Sequence, residues 1–444
     1  MSNVEDPEDC ISLDDALASL VNDEKDETDD EVLKIQDTKG RVSVIKDVEC
    51  NKILKRPLTP SSDNSNDAEK RLKTDESEVK DEQSNFIYNP DSMSNLVANH
   101  YNKIEEIGLN ARTKTRIYFM RNFNNWIKSM LISQYIEKVT SNKVGVPLRV
   151  LDMCCGKGGD LYKWQKSKIT HLICADIADV SVDQCKTRYE DLKAKNDNSR
   201  FPKLFTAEFI ASDCTLIRLR EQYQDPSVSL DLVSCQFAFH YCFETLPQAE
   251  RMLQNASECL RPGGYFIGTI PNANEIMARK QACGASSFGN EVYNIEFQFD
   301  DSNKVPLFGA KYLFQLEGVV NCPEFLVHFP TLVKLAKKYG LELESKETFE
   351  ELFERVSPSN NGAYMLTKIQ ALETYPAFAN SSLSGAESEY EHAKNYYEKT
   401  HREKKFQKIG TLSKSEWEAI SLYMTFAFKK VKTTWNSEGK PEYK

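Results

Sequence analysis

Short apolar runs alternate with longer amphipathic stretches between residues 148 and 270. The runs are typical of strands buried on both faces of a parallel sheet, and the stretches between them show helical spacing. The pattern predicts strands at 148–153, 171–176, 204–211, 229–236 and 265–270. It predicts the intervening helices near 160–167 and at 179–195 and 247–260. Repeated strand–helix units of this length indicate an α/β fold, with a mostly parallel twisted sheet and helices on both faces.

The segments that flank this sheet carry other patterns. Apolar positions at helical spacing predict helices at 93–108, 115–139 and 329–340 and from Ser413. Alternating apolar positions at 288–320 predict a β excursion out of the sheet, which we expect to cover the substrate site. Two further strands are predicted at 341–346 and 420–431, and the polar stretch 376–410 is interpreted as a surface insertion.

The first 85 residues differ in composition from the rest. They hold no Phe, Trp or Tyr and carry 24 acidic and 12 basic residues, a net charge of −12 in a chain whose total is −10. Such a segment cannot bury enough apolar surface to offset its ordering entropy. We therefore predict a disordered acidic tail over 1–85 and one folded domain over 86–444. The basic clusters 52–56 and 70–73 fit either a split nuclear-import signal or a solvated charge run.

Composition disfavours several classes of protein and site. The chain has no apolar run of about 18 residues, so we expect no membrane span. Its 12 cysteines come without a recognisable secretory leader, which indicates a reducing compartment. No two of them are spaced Cys-x-x-Cys and only six histidines are present, so we predict no zinc site. The adjacent pair Cys154–Cys155 is interpreted as small residues in a tight turn rather than as a redox pair.

The first strand of the predicted sheet ends in a glycine-rich turn. Glycines at 156, 158 and 159 would let the backbone approach a ligand closely, and Asp160 is placed to cap the next helix. Asp176 ends the second strand about 20 residues later, where a carboxylate usually holds ribose hydroxyls. The turn therefore predicts a nucleotide-like ligand beyond the carboxyl ends of the strands.

Two ligand classes fit this turn. The glycine spacing is not the G-x-G-x-x-G of dinucleotide-binding folds. Asp152 also places a carboxylate in the turn, where its charge would repel a pyrophosphate and attract a ligand with an amino group and a sulfonium. The residues therefore favour a methyltransferase that binds S-adenosylmethionine, and a dinucleotide-binding enzyme is the alternative.

Seven blocks of sequence, in order, extend this interpretation. They are 121–128 (RNFNNWIK), 151–160 (LDMCCGKGGD), 175–181 (ADIADVS), 235–241 (CQFAFHY), 262–268 (PGGYFIG), 325–330 (FLVHFP) and 412–418 (LSKSEWE). With these blocks, residues 116–432 resemble the eukaryotic mRNA cap (guanine-N7) methyltransferases. One position departs from that family's usual Gly-Cys-Gly, because Cys154 stands where the first glycine is expected. A positive φ at that position would strain the side chain.

The resemblance implies a class I, Rossmann-like methyltransferase that uses S-adenosylmethionine and leaves S-adenosylhomocysteine. The implied reaction is transfer of a methyl group to N7 of the 5′-terminal guanosine cap, GpppRNA to m7GpppRNA, the last step of cap formation. Because N7 has a free lone pair and no proton, we expect in-line displacement without a general base, without a catalytic side chain and without a metal. Catalysis would come from proximity and orientation.

The resemblance also implies roles for individual residues. The residues implied to bind the cofactor are Lys128 at the methionine carboxylate, Cys154 and Gly156 through their backbone, Asp176 at the ribose, Asp213 at the adenine amino group, and Gln236 and Tyr241 around the pocket. The residues implied to bind the cap are Asn124 and Asn125 at the nucleotide, Lys157, Lys163 and Arg188 at the phosphates, and His240, Glu324 and Tyr423 at the guanine.

Simpler interpretations stand beside these roles. Lys163 and Arg188 fit solvated helix faces equally well, His240 could be a satisfied core histidine, and Glu324 could cap a helix or turn. At the level of the whole chain, the alternatives are a methyltransferase for another RNA or a small molecule, and a non-catalytic scaffold. The resemblance further implies a nuclear protein whose partners are the capped 5′ end of mRNA, a small activating subunit, the other capping enzyme and RNA polymerase II.

Overall fold

Five parallel strands form most of the central sheet. They are β1 (Arg149–Met153), β2 (His171–Asp176), β3 (Thr206–Ala211), β4 (Leu230–Gln236) and β5 (Leu260–Pro271). All seven residues of β4 are buried, and β1 and β2 are each buried after their first residue. Continuous burial of this kind requires cover on both faces of a parallel sheet. The predicted strands and their parallel pairing are therefore confirmed.

The predicted β excursion is a separate antiparallel sheet. Its four strands, in sheet order, are β6 (Ser287–Gly289), β7 (Tyr293–Phe297), β8 (Lys311–Leu316) and β9 (Val320–Phe325). Its buried face packs against α-helical and loop residues in an apolar cluster that is distinct from the two clusters against the central sheet.

The remaining strands close the domain. They are β10 (Leu341–Thr348), the short pair β11 (Glu373–Tyr375) and β12 (Ile409–Thr411), and β13 (Tyr423–Lys430). A further short pair is β14 (Thr434–Trp435) with β15 (Pro441–Glu442). Strands β10 and β13 join the central sheet in antiparallel pairing, which gives the order β10-β13-β5-β4-β1-β2-β3. The sheet is therefore mostly parallel, as predicted, with an antiparallel edge.

The helices are, in chain order, α1 (Met93–Lys103), α2 (Leu109–Arg112), α3 (Tyr118–Thr140), α4 (Leu161–Lys166), α5 (Asp179–Asp197), α6 (Leu246–Ser257), α7 (Ala273–Cys283), α8 (Phe329–Lys338), α9 (Phe349–Val356), α10 (Asn360–Lys368), α11 (Glu391–Arg402) and α12 (Lys414–Ile420). The long helix α3 packs on β4 and β5. Its apolar face is core, as predicted, since Phe123, Trp126 and Tyr135 are fully buried. This packing fixes the positions of the polar residues on the opposite side of α3, among them Asn124, Asn125 and Lys128.

The structure differs from the sequence predictions in several elements. Helices α7, α9 and α10 were not predicted, and β5 begins at Leu260 rather than 265. The predicted helix 93–108 is represented by α1, which ends at Lys103, and α2 (Leu109–Arg112) lies beyond its predicted end. The stretch 376–410 includes α11, a regular helix, and the β11–β12 pair holds its two ends together.

The described residues are 93–104, 109–141, 146–197, 204–299, 304–379, 381–402, 408–432, 434–435 and 441–442 of a computed structural model. The predicted disordered tail 1–85, its basic clusters 52–56 and 70–73, and the predicted domain start at 86 lie outside them. No helix in these ranges is both long enough and apolar enough to cross a membrane.

Candidate active site

A cleft of about 530 Å³ opens at the carboxyl ends of β1, β2 and β4. The central sheet forms its floor, and residues of α1, α3 and β9 form its walls. All predicted site residues except Lys163 line it, namely Asn124, Asn125, Lys128, Cys154, Gly156, Lys157, Asp176, Arg188, Asp213, Gln236, His240, Tyr241, Glu324 and Tyr423. Elements far apart in sequence therefore bring the predicted cofactor and cap residues into one continuous space.

The glycine turn after β1 has a left-handed backbone. Cys154 has φ +59°, and Gly156 and Gly158 have φ +53° and +78°. A Cβ at Gly158 would lie 2.7 Å from the sulfur of Cys185, so only glycine fits there. Cys154 adopts a positive φ, the conformation that would strain a side chain there, at a cost of order 1–2 kcal/mol for an L residue. The strain falls on the one residue that departs from the family's glycine.

Asp176 is held rigidly at the tip of β2. One carboxylate oxygen accepts a hydrogen bond from the backbone N–H of Gly156 (2.8 Å), and the other accepts one from Ala178 N–H (2.9 Å). Burial raises the pKa of Asp176, and these backbone donors oppose the rise. Each oxygen keeps a second lone pair, so the carboxylate can still accept from a ligand hydroxyl.

Asp160 does not cap the helix that follows it, which corrects the sequence prediction. No N–H of α4 donates to its side chain. Its carboxylate lies 2.8 Å from both Lys128 Nζ and Lys163 Nζ, and all three side chains are largely buried. Burial alone would raise the pKa of Asp160, but the two lysines hold it well below its usual range. The long-range partner Lys128, on α3, could not be inferred from local spacing.

Asp152 carries less charge than the sequence argument assumed. The indole N–H of Trp164 donates to its carboxyl group at 3.0 Å, and the residue is only 3% exposed. Burial, with a further contribution from Asp160, raises the pKa of Asp152 to about 8. Burial therefore disfavours the charged form of this carboxyl group. Its charge alone cannot exclude a pyrophosphate, although a bound cation would favour its ionisation.

A buried polar group surrounds Glu324 on β9. The hydroxyl of Tyr312 donates to one carboxylate oxygen at 2.7 Å, and His240 Nε2 lies 3.4 Å from the other without hydrogen-bond geometry. Neither ring nitrogen of His240 has a hydrogen-bond partner among the described residues, although the side chain is 1% exposed. His240 is therefore not a satisfied core histidine, and Glu324, inside a strand, is not a cap.

The three residues predicted to bind the cap phosphates lie in different parts of the site. Lys157 donates to the carbonyl of Ile104 (2.7 Å), and Arg188 reaches the cleft from α5. Lys163 lies in an adjoining cavity rather than in the cleft, but its ammonium donates to the side-chain carbonyl of Asn125, which lines both. The simple solvated-face interpretation therefore fails for Lys163, whose side chain is only 12% exposed.

Sequence reasoning missed residues of α1, α2 and α3 that also line the cleft. The hydroxyls of Tyr101 and Tyr241 share a hydrogen bond of 3.1 Å, which ties α1 to the predicted pocket residue. Arg112 and Arg121 lie close together, and burial followed by the charge of Arg112 lowers the pKa of Arg121 to about 10. The block 121–128 gave a signal for Arg121, but nothing in the sequence pointed to Tyr101 or Arg112.

Three cysteines from separate segments lie together beneath the glycine turn. The sulfur atoms of Cys155, Cys174 and Cys185 are within 4.8 Å of one another. Hydrogen bonds from Cys155 and Cys174 lower the pKa of Cys185 to about 5. A search for Cys-x-x-Cys spacing could not find this group, because its members are 19 and 11 residues apart in the chain. The expectation that no metal takes part stays a prediction.

Comparison with known proteins decides the family. The model of the mRNA (guanine-N(7))-methyltransferase domain matches residues 87–431. The chain belongs to this family. The match begins close to the predicted domain boundary and covers every residue of the cleft. It also agrees with the resemblance drawn from the seven sequence blocks, so the α/β methyltransferase fold and the methyltransferase activity class are confirmed.

Curated members of the cap guanine-N7 methyltransferase family are similar over most of their length. The mRNA cap guanine-N(7) methyltransferase of Drosophila melanogaster is 53% identical over 351 residues, which are 78% of this chain and 80% of that protein. The Caenorhabditis elegans enzyme is 42% identical over 345 residues, 77% of this chain and 88% of that protein. A rice enzyme, mRNA cap guanine-N(7) methyltransferase 1, is 35% identical over 344 residues, 76% and 82%.

Proposed function

We propose that the protein transfers a methyl group from S-adenosylmethionine to N7 of the guanosine cap of mRNA, the last step of cap formation. Family membership is the ground for the reaction. The observation that supports this particular cleft as its site is the buried carboxylate of Glu324, 4% exposed, beside the ring of His240, whose nitrogens have no hydrogen-bond partner among the described residues. A buried acceptor and an unsatisfied polar ring are costly unless a ligand pairs with them.

A guanine base fits the polar atoms around Glu324. Its Watson–Crick edge offers two N–H donors side by side, for which a carboxylate is the natural acceptor. His240 can donate to the guanine O6, which leaves N7 free. The ring of Tyr423 stacks on Phe349 with centroids 5.7 Å apart, so it is held as a fixed wall of the base site. These contacts would select guanine over bases that lack paired donors.

S-adenosylmethionine would supply a methyl group already activated on a sulfonium. The described residues fit it, since Gln236 Oε1 is buried in the cleft without a hydrogen-bond partner. Asp213 accepts from the backbone and hydroxyl of Thr215 through Oδ1, which orients its carboxylate for an adenine amino group. Lys128 would meet the methionine carboxylate, sharing its charge between that group and Asp160. The backbone at Cys154 and Gly156 and the ring of Tyr241 would line the pocket.

The triphosphate bridge of the cap requires cations. We assign Lys157, Lys163 and Arg188 to it, with Asn124 and Asn125 at the nucleotide. Arg112 and Arg121 line the same cleft, and their mutual repulsion would be relieved by a polyanion. Charge-assisted hydrogen bonds from these side chains would fix the register of the cap, and Glu324 would fix the base.

No general base is needed for this reaction. Guanine N7 attacks with a free lone pair, and no proton leaves that atom in the transfer step. The side chains of the cleft then act by holding the two ligands in line and by excluding water. We propose no catalytic residue and no metal, so substitutions in the cleft should act through binding and alignment.

Two other functions compete with this proposal. A methyltransferase for another RNA or a small molecule would share the cofactor residues but would not need the paired acceptors at Glu324. A non-catalytic scaffold is disfavoured, because Asp176, Asp213 and Lys128 are all present and oriented in the cleft. The strained Cys154 is the only feature that favours it.

We further propose that the protein acts in the nucleus, where mRNA is processed, and that its tail 1–85 carries the import signal. The partners proposed with the family are the capped 5′ end of mRNA, a small activating subunit, the other capping enzyme and RNA polymerase II.

The proposal is tested by methyl transfer from labelled S-adenosylmethionine. The full chain is incubated with GpppRNA, with the same RNA ending in an uncapped triphosphate, and with free guanosine. We expect label only on the cap guanine, released as m7GpppN by nuclease digestion and as m7G after further digestion with pyrophosphatase and phosphatase. Label on uncapped RNA or on another position would support the competing methyltransferase. An enzyme that binds neither S-adenosylmethionine nor its product would support the scaffold.

A further inference from the structure

A second cavity, of about 540 Å³, adjoins the cleft between helices α3, α4 and α10. We call it the lateral pocket. Asn125 and Gly159 line both spaces, so the two are neighbours, and Lys163 lines the second. Its other polar lining residues include Ser129, Ser133, Lys166 and Tyr364. None of these was singled out from the sequence, and the reaction at the cap does not use them.

The lateral pocket has a concentration of positive charge. Lys163 and Lys166 line it, and Lys368 stands at its α10 side. Burial lowers the pKa of Lys166, and the neighbouring charges of Lys368 and then Lys163 lower it further. Glu137 is the one acidic residue among the side chains that line the pocket in the described part of the chain. Lys163 is paired with Asp160 at 2.8 Å, so Lys166 and Lys368, which repel one another, are the charges that favour the binding of an anion.

An exposed aromatic ring stands in the same place. Tyr364 is 58% exposed, so its ring is accessible to a ligand. The ammonium of Lys368 lies 5.4 Å from the centre of its ring and donates to its hydroxyl at 3.1 Å. The lysine therefore holds the ring in place and sets a positive charge beside it. A groove of cations with an aromatic platform is the arrangement by which proteins bind single-stranded nucleic acid without sequence preference.

The position of the lateral pocket identifies which part of a transcript would enter it. Lys163 reaches from this pocket to Asn125 in the cleft, at the site assigned to the cap triphosphate. A chain that leaves the triphosphate past Lys163 would enter the space that Lys166 and Tyr364 line, beside which Lys368 lies. We propose that the lateral pocket binds the first nucleotides of the RNA downstream of the cap, through their phosphates and by stacking of a base on Tyr364. This inference rests on the proposed function.

The test compares two substrates for the full chain. One is a cap dinucleotide, GpppA, which ends before the lateral pocket, and the other is a capped RNA of about 25 nucleotides. In the double variant Lys166→Gln/Lys368→Gln we expect kcat/KM for the capped RNA to fall roughly tenfold and its salt dependence to flatten by about 1.4 in the log–log slope. The value for GpppA should stay unchanged. Tyr364→Ala should lower the RNA value roughly tenfold without changing the salt slope.

The matched control is Lys334→Gln/Lys337→Gln, which removes the same charge from exposed positions of α8 that line neither cavity. It should leave kcat/KM unchanged for both substrates. If kcat/KM fell equally for GpppA and for the capped RNA in the lateral-pocket variants, or fell for neither, the inference would be overturned. A gain on RNA would also overturn it, since it would indicate that the acidic tail 1–85 occupies the pocket. Failure of the proposed function is distinguishable, because the unmodified chain would then methylate neither substrate.

Discussion

The buried pair Glu324 and His240 illustrates how far single residues could be predicted. Both were assigned to the guanine from the family resemblance, and the structure places His240 Nε2 3.4 Å from Glu324 Oε1 in one cleft. Asp160 was wrongly predicted as a helix cap, because its partner Lys128 lies 32 residues earlier in the chain. Tyr101 was missed altogether. Local spacing carries information about the turn, but a side-chain partner on another helix is set only by tertiary packing.

At the scale of single residues, we predict that Glu324→Gln selectively weakens binding of the cap. The variant keeps the shape of the side chain but loses the charge that receives the guanine donors. Hydrogen bonds to charged groups are worth about 1.5–3 kcal/mol, so kcat/KM for GpppA should fall by roughly 10- to 150-fold. Affinity for S-adenosylhomocysteine, measured by calorimetry, should not change.

Tyr312→Phe is the control for this variant. It removes the hydroxyl that donates to Glu324 at 2.7 Å and leaves the carboxylate in place. Since a neutral donor contributes less, kcat/KM for GpppA should fall by no more than about tenfold. If Glu324→Gln lowered the affinity for the product S-adenosylhomocysteine, that result would contradict the assignment of this residue to the base.

The helices and strands differ in how well their sequences predict them. Strand β4 was predicted well because all its residues are buried, and the start of α12 was predicted at Ser413. Helix α9 was missed although Thr348 and Glu351 form a capping box at its start, a signal that the sequence contains. The extent of β5 was underestimated because its first residues include Pro262 and two glycines, which indicate a turn rather than a strand.

The two capping boxes give a prediction at the scale of the element. Ser413 and Glu416 cap α12 inside the protein, where both are fully buried and Arg116 lies 3.5 Å from Glu416. Ser413→Ala should lower the free energy of unfolding by about 2 kcal/mol, since the loss leaves buried groups unpaired. Thr348→Ala breaks the same motif at α9 on the surface, and we expect about 0.5–1 kcal/mol. Equal losses in urea denaturation would refute this argument.

The whole molecule combines one large parallel sheet with a smaller antiparallel sheet, and the cleft lies where they meet. The alternation of strands and helices was sufficient to predict the first sheet and the helices on both of its faces. It could not predict how the second sheet approaches the first, because that depends on apolar side chains from α3, β8, α12 and β13 packing in one cluster. The site is therefore predictable as a set of residues but not as a geometry.

A prediction for the whole fold concerns alkaline pH. Lys430 is fully buried at the end of β13 and donates to the carbonyl of Tyr339 at 2.7 Å. Burial lowers its pKa from 10.5 to about 8. Between these two values the unfolded chain binds a proton that the folded chain does not, so the contribution of Lys430 to stability rises with pH, by up to about 3 kcal/mol. Below pH 8 both states are protonated and the contribution is constant.

The measurement compares the unmodified chain with Lys430→Met. Other groups titrate in this range, but they are common to both proteins and cancel in the difference. We expect the variant's advantage in unfolding free energy to be largest at pH 7 and to shrink as the pH approaches 10.5. A difference that does not vary with pH would mean that Lys430 keeps its usual pKa in the folded protein.

The pairing of β11 with β12 has a consequence for the evolution of this chain. Glu373 lies opposite Thr411, so a stretch of 37 intervening residues leaves and re-enters the domain at neighbouring positions. Because its ends already meet, a change in its length would add little to the cost of closing the loop and would not shift the register of the central sheet. Descendants of this gene could therefore lengthen, shorten or exchange the segment while conserving the chemistry of the cleft.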